Sequence, residues 1–347
     1  MIFNKSKKGS AEVKERIGFI YKSINFDNLK PYMLFAERDL KQIIGKDVFD
    51  VAEQHYNGDH YCQETADEDH PEYPVLDEFV SRIQMVVAIQ AYRRFVPSND
   101  IAHSDKGRQI FVAEQEKPAF EWQIEKDNEN LLAIALEATD VLLEFLDDHI
   151  ADTVTIKVDG EDDSVGLLIP WANSDEFKII KGLFVSTIEQ FEQVFPINGS
   201  RVTFRALIPF LRHVQQNIIK STFIPEKYTE LLNQVLSNSV TDDNKQILDL
   251  VRQPMVMFAL SMAIKRLSVE VLPDGIFTNI TTSVVKSKTA SSKEARNEVS
   301  TNLEKDAQGM LRMLQEFLRK KAATTSGAEF VPEVTPNIDP KAKYVRL

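Results

Sequence analysis

LDEFVSRIQMVVAIQA (Leu76–Ala91) and PAFEWQIEKDNENLLAIALEATDVLLEFLDDH (Pro118–His149) are the two stretches on which the fold of this 347-residue chain turns. In the first, Leu76, Phe79, Val80, Ile83, Val87 and Ala91 fall three and four apart, one apolar face of a 3.6-residue period, and that face must be buried. In the second, Pro118 suits the opening turn of a helix, and Leu131, Ile134, Ala135, Ala138, Leu142, Phe145 and Leu146 repeat the spacing. Unbroken from Pro118 to His149, that helix would run about 48 Å at roughly 1.5 Å per residue. The pattern predicts a helix, an irregular crossing from Pro97 to Lys117, and a second helix long enough to span a domain. The shorter segments can pack against this pair.

Toward the N-terminus, residues 1–10 (MIFNKSKKGS) are polar and basic and suggest a flexible arm. A helix is expected from Asn28 to Ile44, with Pro31 in its opening turn, Leu34, Phe35, Ala36, Leu40, Ile43 and Ile44 along it, and Gly45 as its stop. Asp47 can then cap a short helix through Val48, Val51, Ala52 and Tyr56, ended by Asn57-Gly58. Asp59 to Pro74 is acidic and shows no period, which describes an exposed loop.

Beyond the central pair, Thr153 to Val158 alternates, Asp159-Gly160 signals a turn, and Val165 to Trp171 returns as an apolar run, the pattern of a hairpin. Ser186-Thr187 with Gln190 forms a capping-box pattern before Ile188, Phe191, Val194 and Phe195, and Pro196 to Gly199 ends that helix. The next carries Val202, Phe204, Leu207, Leu211, Val214 and Ile218 around a kink expected at Pro209. Pro225 opens another helix, and Thr241 caps one that is bent or broken at Pro254 and runs on to Leu267. Val269 to Phe277 suggests a second small hairpin around Pro273-Asp-Gly275, followed by a polar linker from Val284 to Ser292. In a last helix, Lys293 to Lys321, the residues Val299, Leu303, Ala307, Met310, Leu314 and Phe317 alternate steps of four and three, the seam of a helix seeking a partner. The expected fold class is mainly α: an elongated helical bundle with two small β-hairpin elements and extended terminal arms. Its divisions are an N-terminal arm (1–24), a helical core domain (25–150), a second helical part with β insertions (151–321) and an extended tail (322–347).

Forty-one Lys plus Arg against 53 Asp plus Glu leave a net charge of -12, and most of the excess is local. Between Glu37 and Glu78, thirteen acids face three bases. Such a surface repels nucleic acid, because phosphate binding relies on Lys and Arg displacing condensed counterions. This segment is expected to face solvent and not a protein core. A single cysteine, Cys62, excludes an internal disulfide, and no apolar run follows Lys5, Lys7 and Lys8 as a signal peptide requires, so a cytoplasmic origin is expected. No window reaches the about 18 apolar residues expected of a membrane span.

Candidate chemistry is sparse. His55, His60, Cys62 and His70 form a metal-like group, but His60-x-Cys62 is too close for the usual zinc knuckle and there is no second cysteine. The chain has no GxxxxGK, GxGxxG, GxSxG or HExxH pattern. His103-Ser104-Asp105 offers imidazole, hydroxyl and carboxylate side by side, yet a triad draws these from separate elements. Asp147-Asp148 and Asp242-Asp243 sit at helix ends, and at an N-terminus the dipole accounts for a paired acid. No catalytic residue, cofactor or metal is expected.

Two features point to partners instead. Phe120 and Trp122 occupy the first turns of the long helix among Glu121, Gln123, Glu125, Lys126, Asp127 and Asn128, where the apolar face is too narrow for a core. Either they cap the end of this subunit's bundle or they contact a neighbour, where aromatic residues are enriched. In the tail, Pro332, Pro336 and Pro340 exclude a regular helix, while Phe330, Val331, Val334, Ile338, Tyr344, Val345 and Leu347 supply apolar anchors and Lys341, Lys343 and Arg346 make the end basic. An arm that docks on another chain explains both features. The alternative is a solubilising end.

The succession Pro31-Tyr-Met-Leu-Phe-Ala-Glu37, Ile43-Ile-Gly-Lys-Asp-Val-Phe49, Ala88-Ile-Gln-Ala-Tyr92, Ile101-Ala-His-Ser-Asp-Lys-Gly107, Pro118-Ala-Phe-Glu-Trp-Gln123 and Ser200-Arg-Val-Thr-Phe204 resembles virion proteins of Bacteroidetes phages and prophages, crAss-like phages included. These are head-to-tail connector, or adaptor ring, proteins, and the likeness runs from about Ile24 to Leu318. The resemblance implies a homo-oligomeric closed ring of about twelve subunits in which each chain uses two different faces. It further implies docking beneath the portal protein and against adjacent tail rings, at the head–tail junction of a tailed phage. Genomic DNA would pass through the lumen during ejection without tight binding, no membrane would be involved, and assembly would take place in the host cytoplasm. A soluble helical binding module or assembly chaperone, acting as monomer or dimer, is the competing expectation.

Overall fold

Asn25 opens the first long helix: its side chain accepts the Asp27 N–H at 3.0 Å, and α2 (Phe26–Ile44) follows. A computed structural model of the chain describes residues 1–19, 25–58, 74–100, 102–104, 107–109, 120–150, 152–158, 161–166, 168–266, 269–272, 275–278 and 293–326. These are mainly helical and fall into two compact units. The first takes Met1–Lys181 and Ser200–Ala206; the second takes Gly182–Gly199 and the described residues from Leu207 onward.

In the first unit, α1 (Gly9–Arg16), α2, α3 (Lys46–Asn57) and α5 (Glu121–Asp148) all contact α4 (Pro74–Asn99) or its neighbours. Helix α4 buries Leu76, Phe79, Val80 and Ile83 as its spacing predicts, Val86 at the edge of the same face, and also Ala88 and Ile89, which lie off it. A helix covered on several sides loses its amphipathic signature. Each such Val, Leu, Ile or Phe contributes about 1.5–3 kcal/mol when fully buried. The helix also continues through Pro97 to Asn99, so the crossing to α5 starts later than expected. In that crossing β1 (Ala102–Ser104) pairs with β2 (Gly107–Gln109), which the sequence reading did not foresee.

Residues 1–10 are not a free arm. Ile2 and Phe3 are buried in the core. The Ile2 N–H donates to Glu37 Oε1 at 3.0 Å, and Gln84 Nε2 donates to the Ile2 carbonyl at 2.8 Å. Asn4 N–H donates to Glu12, and Lys5 N–H to the Tyr56 hydroxyl, both at 2.7 Å. Glu37, only 5% exposed, thereby overturns the expectation that the acidic run from Glu37 to Glu78 stays out of the core. A buried carboxylate is tolerable here because it has a donor to satisfy. Residues 59–73 of that run lie outside the described residues. At Gly9, a Cβ would stand 2.6 Å from the Phe26 ring, which explains a glycine in the first turn of α1.

Gly45, at φ 90°, ends α2 and is also the residue before α3, so one residue joins two helices. Asp47 is not the cap expected of it; it sits inside the first turn of α3, where an acid still complements the helix dipole. Helix α5 begins at Glu121, three residues after Pro118, with Gln123 Oε1 accepting the Phe120 N–H at 3.0 Å.

Strand β3 (Thr153–Val158) pairs antiparallel with β4 (Glu161–Gly166). The apolar run to Trp171 does not extend that strand. It turns into α6 (Ile169–Asn173), with Pro170 in the first turn, followed by α7 (Asp175–Lys181). Trp171 is 1% exposed and belongs to the first unit's core, which moves the boundary expected at 150/151 to 181/182.

The second unit is organised around Gly182–Val185, an irregular segment in which Leu183, Phe184 and Val185 are buried. Helix α8 (Ile188–Glu192) follows a capping box: Thr187 Oγ1 accepts the Gln190 N–H at 3.3 Å, and Gln190 Oε1 accepts the Ser186 N–H at 2.9 Å. Helix α9 (Arg201–Val214) continues through Pro209. The departure from α geometry comes later, in a π turn at Gln215–Ile219. Helix α10 (Pro225–Leu236) is followed by α11 (Asp242–Arg266), which also runs unbroken through its proline, Pro254. Among the described residues, α11 is long and apolar enough to cross a membrane, with a mean hydropathy of 1.5, so exclusion by length fails for it. However, 61% of that window is buried in protein packing.

Strand β5 (Val269–Leu272) pairs with β6 (Gly275–Thr278), and α12 (Lys293–Ser326) returns antiparallel along α11. Its direction is set by Ser261 meeting Ser300 and Asp243 meeting Lys321. The buried line of α12 is Ser300, Ala307 and Leu314, one residue out of step with the expected seam at its start: Val299 is 51% exposed. Ser300 is buried because α11 offers it polar partners, the Ser261 hydroxyl at 2.8 Å and carbonyl at 2.9 Å.

Candidate interaction surface

From Glu121 to Asn130, no side chain of α5 is buried; from Leu131 onward, Leu131, Ala135, Thr139, Leu142 and Leu146 are. The helix therefore begins in solvent and ends in a core. Phe120 is 69% exposed and Trp122 61%. Trp122, Leu132 and Leu136 are all exposed and recur at helical spacing on one face, with Glu125 and Glu129 between them. From Trp122 to Leu136 this strip is about 21 Å long. Glu125 and Glu129 lie along it, so the strip combines apolar surface with negative charge. On another face of α5, Asp127 lies near the end of α4: burial chiefly, and then Asp127, pushes both the Tyr92 hydroxyl and the Asp100 carboxyl up.

A smaller exposed apolar group lies on α2. Leu34 and Phe35 point away from the buried line of Leu29, Met33, Ala36, Leu40 and Ile44, and the Arg38 guanidinium lies 5.7 Å from the Phe35 ring. Beside it, Asp39 accepts from Arg94 at 2.5 Å and from Arg38 at 3.1 Å. Partial burial pushes the Asp39 carboxyl up, but the two guanidiniums outweigh it and hold the group below its ordinary range.

A polar cluster fixes the start of α9 to α5 within the first unit. Asp140 Oδ1 accepts the Val202 N–H at 2.6 Å and Ser200 Oγ the Thr203 N–H at 3.1 Å, which together cap α9. Arg201 pairs with Glu144 at 3.3 Å, and the indole N–H of Trp171 donates to Asp147 at 3.2 Å. Arg205 stacks 5.4 Å from the Trp171 ring and donates to the Ile43 carbonyl at 2.6 Å, satisfying an end group of α2. Although the Asp147 side chain reaches solvent, close packing around its carboxyl raises its pKa, and Trp171, Arg201 and Arg205 only partly offset this. Beside this cluster an open cleft of about 520 Å³ is lined by Gly45–Val48 together with Ile169, Pro170, Asn173, Ser174 and Asp175. The cluster joins two of the quoted motifs, Ile43–Phe49 and Ser200–Phe204, and its bonds are those of a structural corner.

Of the expected partner-binding residues, Phe120 and Trp122 are placed in solvent; Phe330, Val331, Val334, Ile338, Tyr344, Val345 and Leu347 lie outside the described residues. The metal-like group is split the same way: His55 Nε2 stands 2.7 Å from Asp77 Oδ1, while His60, Cys62 and His70 are outside. Among the described residues, no group of three or more His, Cys, Asp or Glu is placed to hold a metal ion. His103 and Ser104 lie on β1, and Asp105 is outside the described residues. Sequence reasoning missed Leu132, Leu136, Leu34 and Phe35. For Leu34 and Phe35 the available signal was their phase, out of register with the buried line of α2, whereas Leu132 and Leu136 share a face with the buried Leu143 and phase does not mark them.

These features define a mainly helical protein of two units with exposed aromatic side chains at a helix start. Residues 40–153 and 214–329 match a family of unknown function, DUF6712, and the chain belongs to that family. No curated protein and no solved structure matches it. The matched segments include Phe120 and Trp122, whereas α6 to α8 and Ser200–Phe204 fall between them.

Proposed function

We propose that this chain is a structural virion protein: one subunit of a closed head-to-tail connector ring that docks on the portal, joins capsid to tail and lets DNA pass. The observation that carries the reading is the start of α5. Ten consecutive helical residues with no buried side chain follow one exposed aromatic residue and include another, an arrangement that gains stability only when a partner covers it. The resemblance of the quoted motifs to connector proteins supplies the class of partner. The excess of acids favours a ring wall along which DNA slides, because such a wall releases no counterions on contact. The fold expected of this role is an elongated bundle with extended arms. The tail expected from residue 322 starts later than the sequence suggests, because α12 continues to Ser326.

The test is the copy number of this chain in assembled particles, by imaging particles with the chain labelled. A closed ring of about twelve, each subunit using two different faces, is the expected result. A monomer or a two-fold dimer in mature particles, or absence from them, would replace this reading with that of a soluble binding module or assembly chaperone.

A further inference from the structure

We infer that the exposed face of α5 from Glu121 to Leu136 is the docking site for the basic segment Lys341–Leu347 of a second copy of this chain. The inference rests on the ring reading, which requires two different faces of identical neighbours to meet, and it names both. Trp122, Leu132 and Leu136 present apolar surface, and Glu125 and Glu129 stand between them on the same face. The same face of a second copy cannot cover it, because acid would meet acid across a desolvated contact. The occupant must bring apolar groups and positive charge together. Lys341-Ala-Lys343-Tyr344-Val345-Arg346-Leu347 does so, with three bases, no acid, and Tyr, Val and Leu as anchors. Helix α12 ends at Ser326, and the 21 residues after it could extend about 65 Å at roughly 3.1 Å each, enough to reach a neighbouring subunit.

The probe is a fluorescein-labelled peptide of residues 327–347, titrated into the full-length protein at low salt and followed by anisotropy and by tryptophan emission. The chain has two tryptophans, Trp171 in the core and Trp122 in solvent, so a blue shift on binding that is absent from Trp122→Phe reports the α5 face. Saturable binding is expected, weakened about tenfold or more by Trp122→Ala and by added salt. Glu125→Lys with Glu129→Lys should abolish it, and a peptide with Lys341, Lys343 and Arg346 changed to Glu should bind that double variant and not the wild type. Absence of binding, or equal binding to Trp122→Ala, overturns the inference. So does a blue-shifted Trp122 in the undiluted and highly diluted protein alike, which would place the tail on its own subunit. If the peptide fails to bind while particles still carry the ring, the docking site is wrong and the ring stands; if it binds while particles carry no ring, the converse holds.

Discussion

Each unit buries a short irregular segment, and the two hold its backbone in opposite ways. In the first, Ile2 to Lys5 is gripped by side chains from several helices: Glu12 of α1, Glu37 of α2, Tyr56 of α3 and Gln84 of α4. In the second, Gln215 does most of the work. Its Oε1 accepts the Phe184 N–H and its Nε2 donates to the Gly182 carbonyl, each at 2.8 Å, with Arg252 adding one bond to the Phe184 carbonyl. Buried backbone groups must be paired in either case. What differs is how the loss of one partner is shared, and this makes the second unit more vulnerable to a single substitution. The π turn that begins at Gln215 fits that role, since an extra residue in the turn re-aims a side chain.

The comparison breaks most sharply at Gln215. Gln215→Leu leaves a buried donor and a part-buried acceptor without partners, and should cost about 2–4 kcal/mol in urea unfolding. Gly9→Ala drives a Cβ into the Phe26 ring and should cost about 1–3 kcal/mol, the range for an overpacked core. Gln84→Leu removes only one of several grips and should cost about 1–2 kcal/mol. If it proves as damaging as Gln215→Leu, the grip on the first segment is not shared as described.

The smallest expected effects depend on pH. Burial pushes the Tyr56 hydroxyl up to about 12; the Lys5 N–H that donates to it opposes this, and Glu12 adds to it. The folded state thus holds this proton more tightly than the unfolded chain. The stability it contributes is whole below the ordinary pKa of about 10 and is lost as pH rises toward 12. Tyr56→Phe should flatten that alkaline limb in denaturation curves collected from pH 9 to 12. Asp147 also has a raised pKa, so its ionised form is the less favoured one in the folded state and stability declines as pH rises through it. Asp147→Asn, which retains an oxygen for the Trp171 indole, should remove that dependence near the carboxylate range and change stability at neutral pH by less than about 1 kcal/mol.

The helices were legible where periodicity and capping agree: the buried line of α5, the Thr187–Gln190 box and Pro225 at the start of α10 all follow from local sequence. What was hidden depended on partners. Ile2 and Phe3 look like part of a basic arm until Glu37 and Gln84 are known to face them. Val299 outranks Ser300 as a seam residue until Ser261 is opposite. Pro209 and Pro254 signal a kink and a bend or break, and neither ends its helix: α9 and α11 both continue past the missing N–H. At the candidate surface, Phe120 and Trp122 could be picked out by their polar neighbours, but only the depth of the core settles which apolar residues of one helix are left uncovered.

Gly45 carries a consequence for the order in which the chain folds. Because one residue joins α2 to α3, there is almost no loop to close, and contacts between these helices form at little cost in chain entropy. Contacts so local tend to appear early, whereas Gln215 must wait for Gly182 and Phe184, about thirty residues away in sequence. In a kinetic experiment Gly45→Ala, strained at φ 90°, should therefore slow folding more than it speeds unfolding, and Gln215→Leu should do the reverse.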